Sequence, residues 1–139
     1  GQAYKIVPVD VLLDDFMLPV QFNIKWSVAG DADLLKYLFA IIKKELKTYN
    51  LEVEVQEKGR RYVLIKIRVD KVIFTADECG QLFSPITVNL QYYLCSQIVR
   101  DVGELTNSRG CGIFAHNTSE KTVFEITLPK VSTATVKQE

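Results

Sequence analysis

Histidine occurs once in the chain, at His116, and so do methionine and tryptophan, at Met17 and Trp26. A single histidine makes a Cys/His zinc site improbable and leaves one candidate for any histidine-based relay or triad. His116 ends an expected strand, where a satisfied or solvent-facing role is the plainer reading. Cysteine is also sparse: Cys79, Cys95 and Cys111 are too widely spaced for a CxxC motif, and three cannot pair off completely. Free thiols without metal, in a reducing compartment, are therefore expected. There is no excess charge of either sign, since Lys plus Arg and Asp plus Glu both total 17. That balance argues against nucleic acid as a partner, because binding phosphates needs a net basic face. No apolar run approaches the roughly 18 residues of a membrane helix, and no signal peptide opens the chain. A cytoplasmic segment without membrane contact is expected. The start at Gly1 rather than Met leads us to expect a fragment of a longer protein.

What is present suits one compact core. The chain has 139 residues, 47% of them apolar, enough to bury about two-thirds of the unfolded surface without disulfide or metal staples. Residues 1–131 read as one domain and the polar stretch 132–139 as a flexible tail. Val9 to Phe16 has the spacing of a short helix, ended by Pro19. Phe22, Ile24, Trp26 and Val28 alternate as in a half-buried strand, and Ala29-Gly30 reads as a turn. Asp31 is a natural N-cap for a helix over 32–48, with Leu34, Leu35, Leu38, Phe39, Ile41, Ile42 and Leu46 on its apolar face.

A hairpin follows. Leu51, Val53 and Val55 alternate with Glu52, Glu54 and Gln56, the turn is Glu57-Lys58-Gly59-Arg60, and Val63, Ile65, Ile67 and Val69 form an unbroken apolar face. Thr75 and Glu78 have capping-box spacing, and Ser84-Pro85 interrupts that short helix. A longer helix runs over 88–102, with Gly103 as its C-cap. Two closing strands, 111–116 and 122–128, end at Pro129. The expected fold is α+β: a two-layer sandwich with helices 32–48 and 88–102 side by side on one face of a mixed, mostly antiparallel sheet.

Five local patterns in this order resemble the histidine-kinase-type (GHKL) ATP-binding domain, the fold shared with gyrase, the ninety-kilodalton heat-shock chaperone and MutL. Val28-Ala29-Gly30-Asp31, followed by Leu34-Leu35 and Leu38-Phe39, resembles the approach to the N-box helix. Val69-Asp70 resembles the start of the first glycine box, and Leu82-Phe83-Ser84-Pro85 the Phe-x-Pro-Phe region. Ile98 to Gly103 is similar to the end of the second glycine-box helix, and Phe124 to Pro129 to the closing strand. The matches span nearly the whole chain. It looks most like degenerate versions at the end of Bacteroides-type histidine-kinase-like proteins.

The resemblance implies specific chemistry at specific positions. An N-box Asn would hold Mg²⁺ between the nucleotide phosphates. This chain has Glu45 there, or Lys44 one residue earlier, with apolar Ile41 one turn before. As a solvated helix residue Glu45 needs no function. Asp70 stands where an Asp would bind the adenine amino group, or is simply the polar end of a strand. Lys71-Val72-Ile73-Phe74 replaces the glycines that would let backbone approach the nucleotide. Only Ser84 to Asn89 separates the Phe-Pro region from the next helix, too short for a lid. That helix opens with Asn89-Leu90-Gln91-Tyr92, where Gln91 and Tyr92 crowd a would-be phosphate site.

One other glycine cluster, Arg109-Gly110-Cys111-Gly112, precedes a strand and is not a phosphate loop. A turn is the plain reading, and an anion site using Arg109, Gly110 and Gly112 the functional one. No residue is assigned a catalytic or metal-binding role. Tyr92, Tyr93 and Trp26 are read as core and helix-face aromatics. The expected function is a regulatory or interaction module of a two-component sensor, without cofactor. Its partners would be other domains of the parent or a response regulator, and a homodimer is also open. The alternatives are a working ATP-binding catalytic domain using ATP with Mg²⁺, and a dimerisation or scaffold domain.

Overall fold

The computed structural model describes residues 5–16 and 25–131. The expected strand residues Phe22 and Ile24, the stop at Pro19 and the tail 132–139 lie outside the described residues. The order is β1 (Lys5–Pro8), α1 (Val9–Leu12), a 3-10 turn (Asp14–Phe16), β2 (Ser27–Gly30), α2 (Ala32–Glu45), β3 (Leu51–Lys58), β4 (Tyr62–Val69), α3 (Ala76–Gln81), α4 (Leu90–Leu105), β5 (Gly112–Asn117) and β6 (Thr122–Val131).

The described strands form one six-stranded sheet ordered β1-β2-β6-β4-β3, and β5 pairs with β6 beside β2. Every pairing among them is antiparallel. Strand β6 is the axis, with Val63 to Arg68 along one edge and Gly112 to Asn117 along the other. Register places Val53 beside Ile67, Ile67 beside Phe124 and Ile113 beside Ile126, so one apolar parity runs across four strands. Helices α2 and α4 pack against each other over this face. Leu35, Leu38, Phe39 and Ile42 of α2 and Tyr92, Cys95, Ile98 and Val102 of α4 join the sheet residues in one core. The two-layer α+β sandwich read from the sequence is therefore the observed architecture, with the helices on one side.

Several boundaries differ from the expectations, each for a local reason. Ala29-Gly30 is not a turn but the end of β2, with Gly30 opposite Lys5. The glycine is there because helices lie on it: a Cβ would meet Leu35 Cδ1 at 2.8 Å and Val102 Cγ2 at 3.4 Å. The helix expected over 9–16 stops at Leu12 and tightens into the 3-10 turn. The hairpin turn is shifted to Gly59-Arg60-Arg61, since Glu57 and Lys58 still pair in β3, and Gly59 takes the left-handed conformation at φ 62°. Helix α4 runs through Gly103 to a C-cap at Thr106. Gly103 instead admits the returning loop, whose Ser108 N–H donates to the Gly103 carbonyl at 2.7 Å. Strand β6 also continues past Pro129. The Lys130 N–H donates toward β4, to Arg61 O at 2.7 Å. The proline nitrogen therefore faces the opposite edge, beyond the last β5 pairing at Gly112–Thr127, where no β5 carbonyl needs a donor.

Candidate functional site

At one end of the sheet the close of α2, the exit of β4 and the start of α4 come together. Helix α2 begins at Asp31, whose side chain accepts from the Asp33 and Leu34 amides, and it delivers Glu45 at its last turn. The Glu45 carboxylate accepts a hydrogen bond from Asn89 Nδ2 at 2.8 Å. Asn89 is also the N-cap of α4, its side-chain oxygen accepting from the Gln91 amide at 2.9 Å. A single asparagine therefore caps one helix and holds the end of the other. Lys44, the neighbouring candidate, is exposed.

Asp70 follows the last residue of β4 and is exposed. Its amide donates to the Asn50 carbonyl at 3.1 Å, and its carboxylate accepts from Asn50 Nδ2 at 3.3 Å. Beside it the Lys71 ammonium lies 5.4 Å from the centre of the Tyr49 ring. Glu45 and Asp70 thus reach the same end of the fold, each with an asparagine donor of its own.

The segment after Asp70 is strapped to the β5–β6 hairpin. The Ile73 amide donates to Thr122 Oγ1 at 3.0 Å, and the Thr122 amide to the Lys71 carbonyl at 3.2 Å. Asn117 Nδ2 donates to the Phe74 carbonyl at 2.8 Å, and Thr122 Oγ1 donates to Asn117 Oδ1 at 2.7 Å. These bonds satisfy a backbone that leaves the sheet and aim Phe74 inward. Phe74, Phe83, Tyr92 and Phe124 form a cluster of edge-on and tilted rings, with centroids 5.8 to 6.5 Å apart in the contacting pairs. Such contacts add about 0.5–1.5 kcal/mol per pair beyond area burial. Burial, and then the nearby Glu45 carboxylate, push the Tyr92 phenol well above its usual range. Only Val72 of the apolar trio is substantially exposed.

Between α3 and α4 the chain makes tight, self-bonded turns. Ser84 N–H and its hydroxyl both donate to Gln81 O, at 3.0 and 2.8 Å, and Asn89 N–H donates to Thr87 Oγ1 at 3.2 Å. The capping box of α3 is formed as expected: Thr75 Oγ1 accepts from the Glu78 amide and the Glu78 carboxylate from the Thr75 amide.

The other sequence candidates do not converge on this end. The Gly110 amide donates to Tyr62 Oη at 2.8 Å, and a Cβ there would lie 2.5 Å from the Tyr62 ring. Gly112 pairs opposite Thr127 beneath the Phe114 ring. Arg109 and Gly112 line a groove of about 810 Å³ between α3, α4 and β5. The sequence reading missed this groove, because it is assembled from three elements. His116 Nε2 lies 2.7 Å from Glu125 Oε2 in an exposed position. The three cysteines are free, and burial raises the thiols of Cys95 and Cys111 to about 12 and about 11. Trp26 and Tyr93 are half-buried, and Tyr92 is in the core. Among the described residues no group of three His, Cys, Asp or Glu could hold a metal ion, and no helix is long and apolar enough to cross a membrane.

The chain has the fold of the catalytic, ATP-binding domain of sensor histidine kinases. It superposes on the nucleotide-free catalytic domain of histidine kinase ThkA with a TM-score of 0.70 at 14% identity, covering 94% of this chain and 100% of that one. The mycobacterial sensor histidine kinase MprB gives 0.70 at 13% identity, over 92% of this chain and 98% of that one. Acinetobacter baumannii histidine kinase AdeS gives 0.66 at 14% identity, over 93% and 68%. ThkA in complex with the response regulator protein TrrA is also similar, at 0.68 and 15% identity, over 92% and 42%. No family sequence model and no curated protein sequence matches the chain.

Proposed function

We propose that this domain is a regulatory or interaction module of a two-component sensor protein, and that it does not use ATP. The observation that carries the reading is the filled end of the sheet. Phe74 and Tyr92 pack on Phe124 where the resemblance would put glycine backbone beside a nucleotide. Glu45 stands where an Asn would hold Mg²⁺ between phosphates, and its carboxylate is engaged by Asn89. A carboxylate turned toward a triphosphate repels it, and in a partly desolvated site that repulsion is several kcal/mol. The eight residues from Leu82 to Asn89 are folded on themselves and do not form a lid. The residues present do not fit ATP with Mg²⁺. The domain's role is then to present surface to other domains of the parent protein or to a response regulator, in the cytoplasm.

One observation favours the second reading, a divergent but working catalytic domain. The Asp70 carboxylate is exposed, and among the described residues its side chain has a single long hydrogen bond, from Asn50, which leaves an oxygen to receive an adenine amino group. A phosphotransfer assay separates the two. Incubation with labelled ATP and Mg²⁺, alone or with an added histidine-bearing dimerisation segment, is expected to transfer no label. Transfer that disappears in Asp70→Ala would establish the catalytic reading instead.

A further inference from the structure

The groove between α3, α4 and β5 lies on the other flank of the aromatic cluster and takes no part in the reading above. Its volume, about 810 Å³, falls within the roughly 300–1,000 Å³ of small-molecule sites. The floor is apolar: Phe83, Val99, Ile113 and Ala115 contribute to it, and Val99 and Ile113 are fixed in the core. The serines in its wall are already committed. Ser96 Oγ donates to Tyr93 O at 2.6 Å, Ser84 Oγ to Gln81 O at 2.8 Å, and Ser108 Oγ is bonded to Thr106.

The charged groups of the groove are Arg100, Arg109 and Glu104. Neither arginine belongs to an ion pair among the described residues. Two guanidiniums and one carboxylate leave one net positive charge over an apolar floor. A neutral ligand leaves the arginines unanswered, and a dianion meets Glu104. We propose that this groove binds a small monoanionic amphipath, a carboxylate or sulfonate head on an apolar body, with the head held by Arg100 and Arg109. Guanidinium recognition of such heads is charge-assisted and directional.

Anilinonaphthalene sulfonate is a suitable probe, read by its fluorescence and by amide NMR of the full chain. The expected result is one saturable site whose amide shifts centre on Val99, Arg100 and Ile113. The double variant Arg100→Ala/Arg109→Ala should weaken binding about tenfold or more while its remaining amide spectrum stays that of the parent. The unsulfonated anilinonaphthalene should bind equally to parent and double variant. The proposal is overturned by absence of saturable binding. It is overturned equally by shifts confined to the exposed apolar residues Ile86, Val88 and Leu90, or by unchanged affinity in the double arginine variant.

Discussion

Gly30 and Cys95 show how single residues answer to their surroundings. A methyl group at Gly30 would press on Leu35, which is fully buried and has nowhere to retreat. Gly30→Ala should therefore cost about 1–3 kcal/mol as an overpacking change, measured as a lowered urea midpoint with unchanged slope. A neutral effect would mean that α2 can lift from the sheet. Cys95 is wholly buried, and its folded thiol is raised to about 12. Because the folded value lies above the unfolded one, its contribution to stability is complete below about pH 8.5. That contribution is lost as pH rises from there through about 12. Alkaline unfolding should be shallower in Cys95→Ala, and native Cys95 should resist alkylation at pH 8. Rapid labelling of Cys95 under native conditions would contradict its placement. The sequence showed that these cysteines were free candidates, but it could not show why Gly30 is glycine, since Val102 is 72 positions away.

At the scale of elements, α4 depends on one side chain. Asn89 caps it and also donates to Glu45. Asn89→Ala should lose about 1–2 kcal/mol, seen in chemical denaturation. Asn89→Asp keeps the capping acceptor but opposes Glu45 with a second carboxylate. That variant should lose more stability at low ionic strength than at high, where salt screens the repulsion. A loss that does not change with salt would show that the two carboxylates do not face each other. The long helices and the β3–β4 hairpin were legible in the sequence because their apolar period spans many residues, as with Val63 to Val69. Strand β1 was not, because Lys5–Pro8 is four residues without a period, formed by pairing with Ser27–Gly30. The ends of α4 and β6 were misread for a related reason. Gly103 and Pro129 are stop signals only where the next hydrogen bond would be lost, and here it is not. At the candidate site, Glu45 and Asp70 were singled out by resemblance. Asn89, 44 residues from Glu45, had no local signal for its second bond.

Over the whole molecule, the fold shared with ThkA and MprB persists at 13–14% identity. What the fold requires is a pattern: alternating apolar strands over one core and two amphipathic helices with sound N-caps. Nucleotide chemistry requires particular residues, and on the proposed reading this chain carries Glu45, Val72, Ile73 and Phe74 at those positions. On that reading the aromatic cluster of Phe74, Phe83, Tyr92 and Phe124 occupies volume that a nucleotide would need. The direct check is calorimetric titration of the domain with ATP in the presence of Mg²⁺. Micromolar affinity needs about 8 kcal/mol and millimolar affinity about 4, so on the proposed reading the absent metal ligand, the repelling carboxylate and the filled pocket together should remove detectable binding. The expected result is no saturable heat at micromolar ATP, in the parent or in Glu45→Asn, because Phe74 and Tyr92 still fill the space. Micromolar binding that Asp70→Ala abolishes would contradict it.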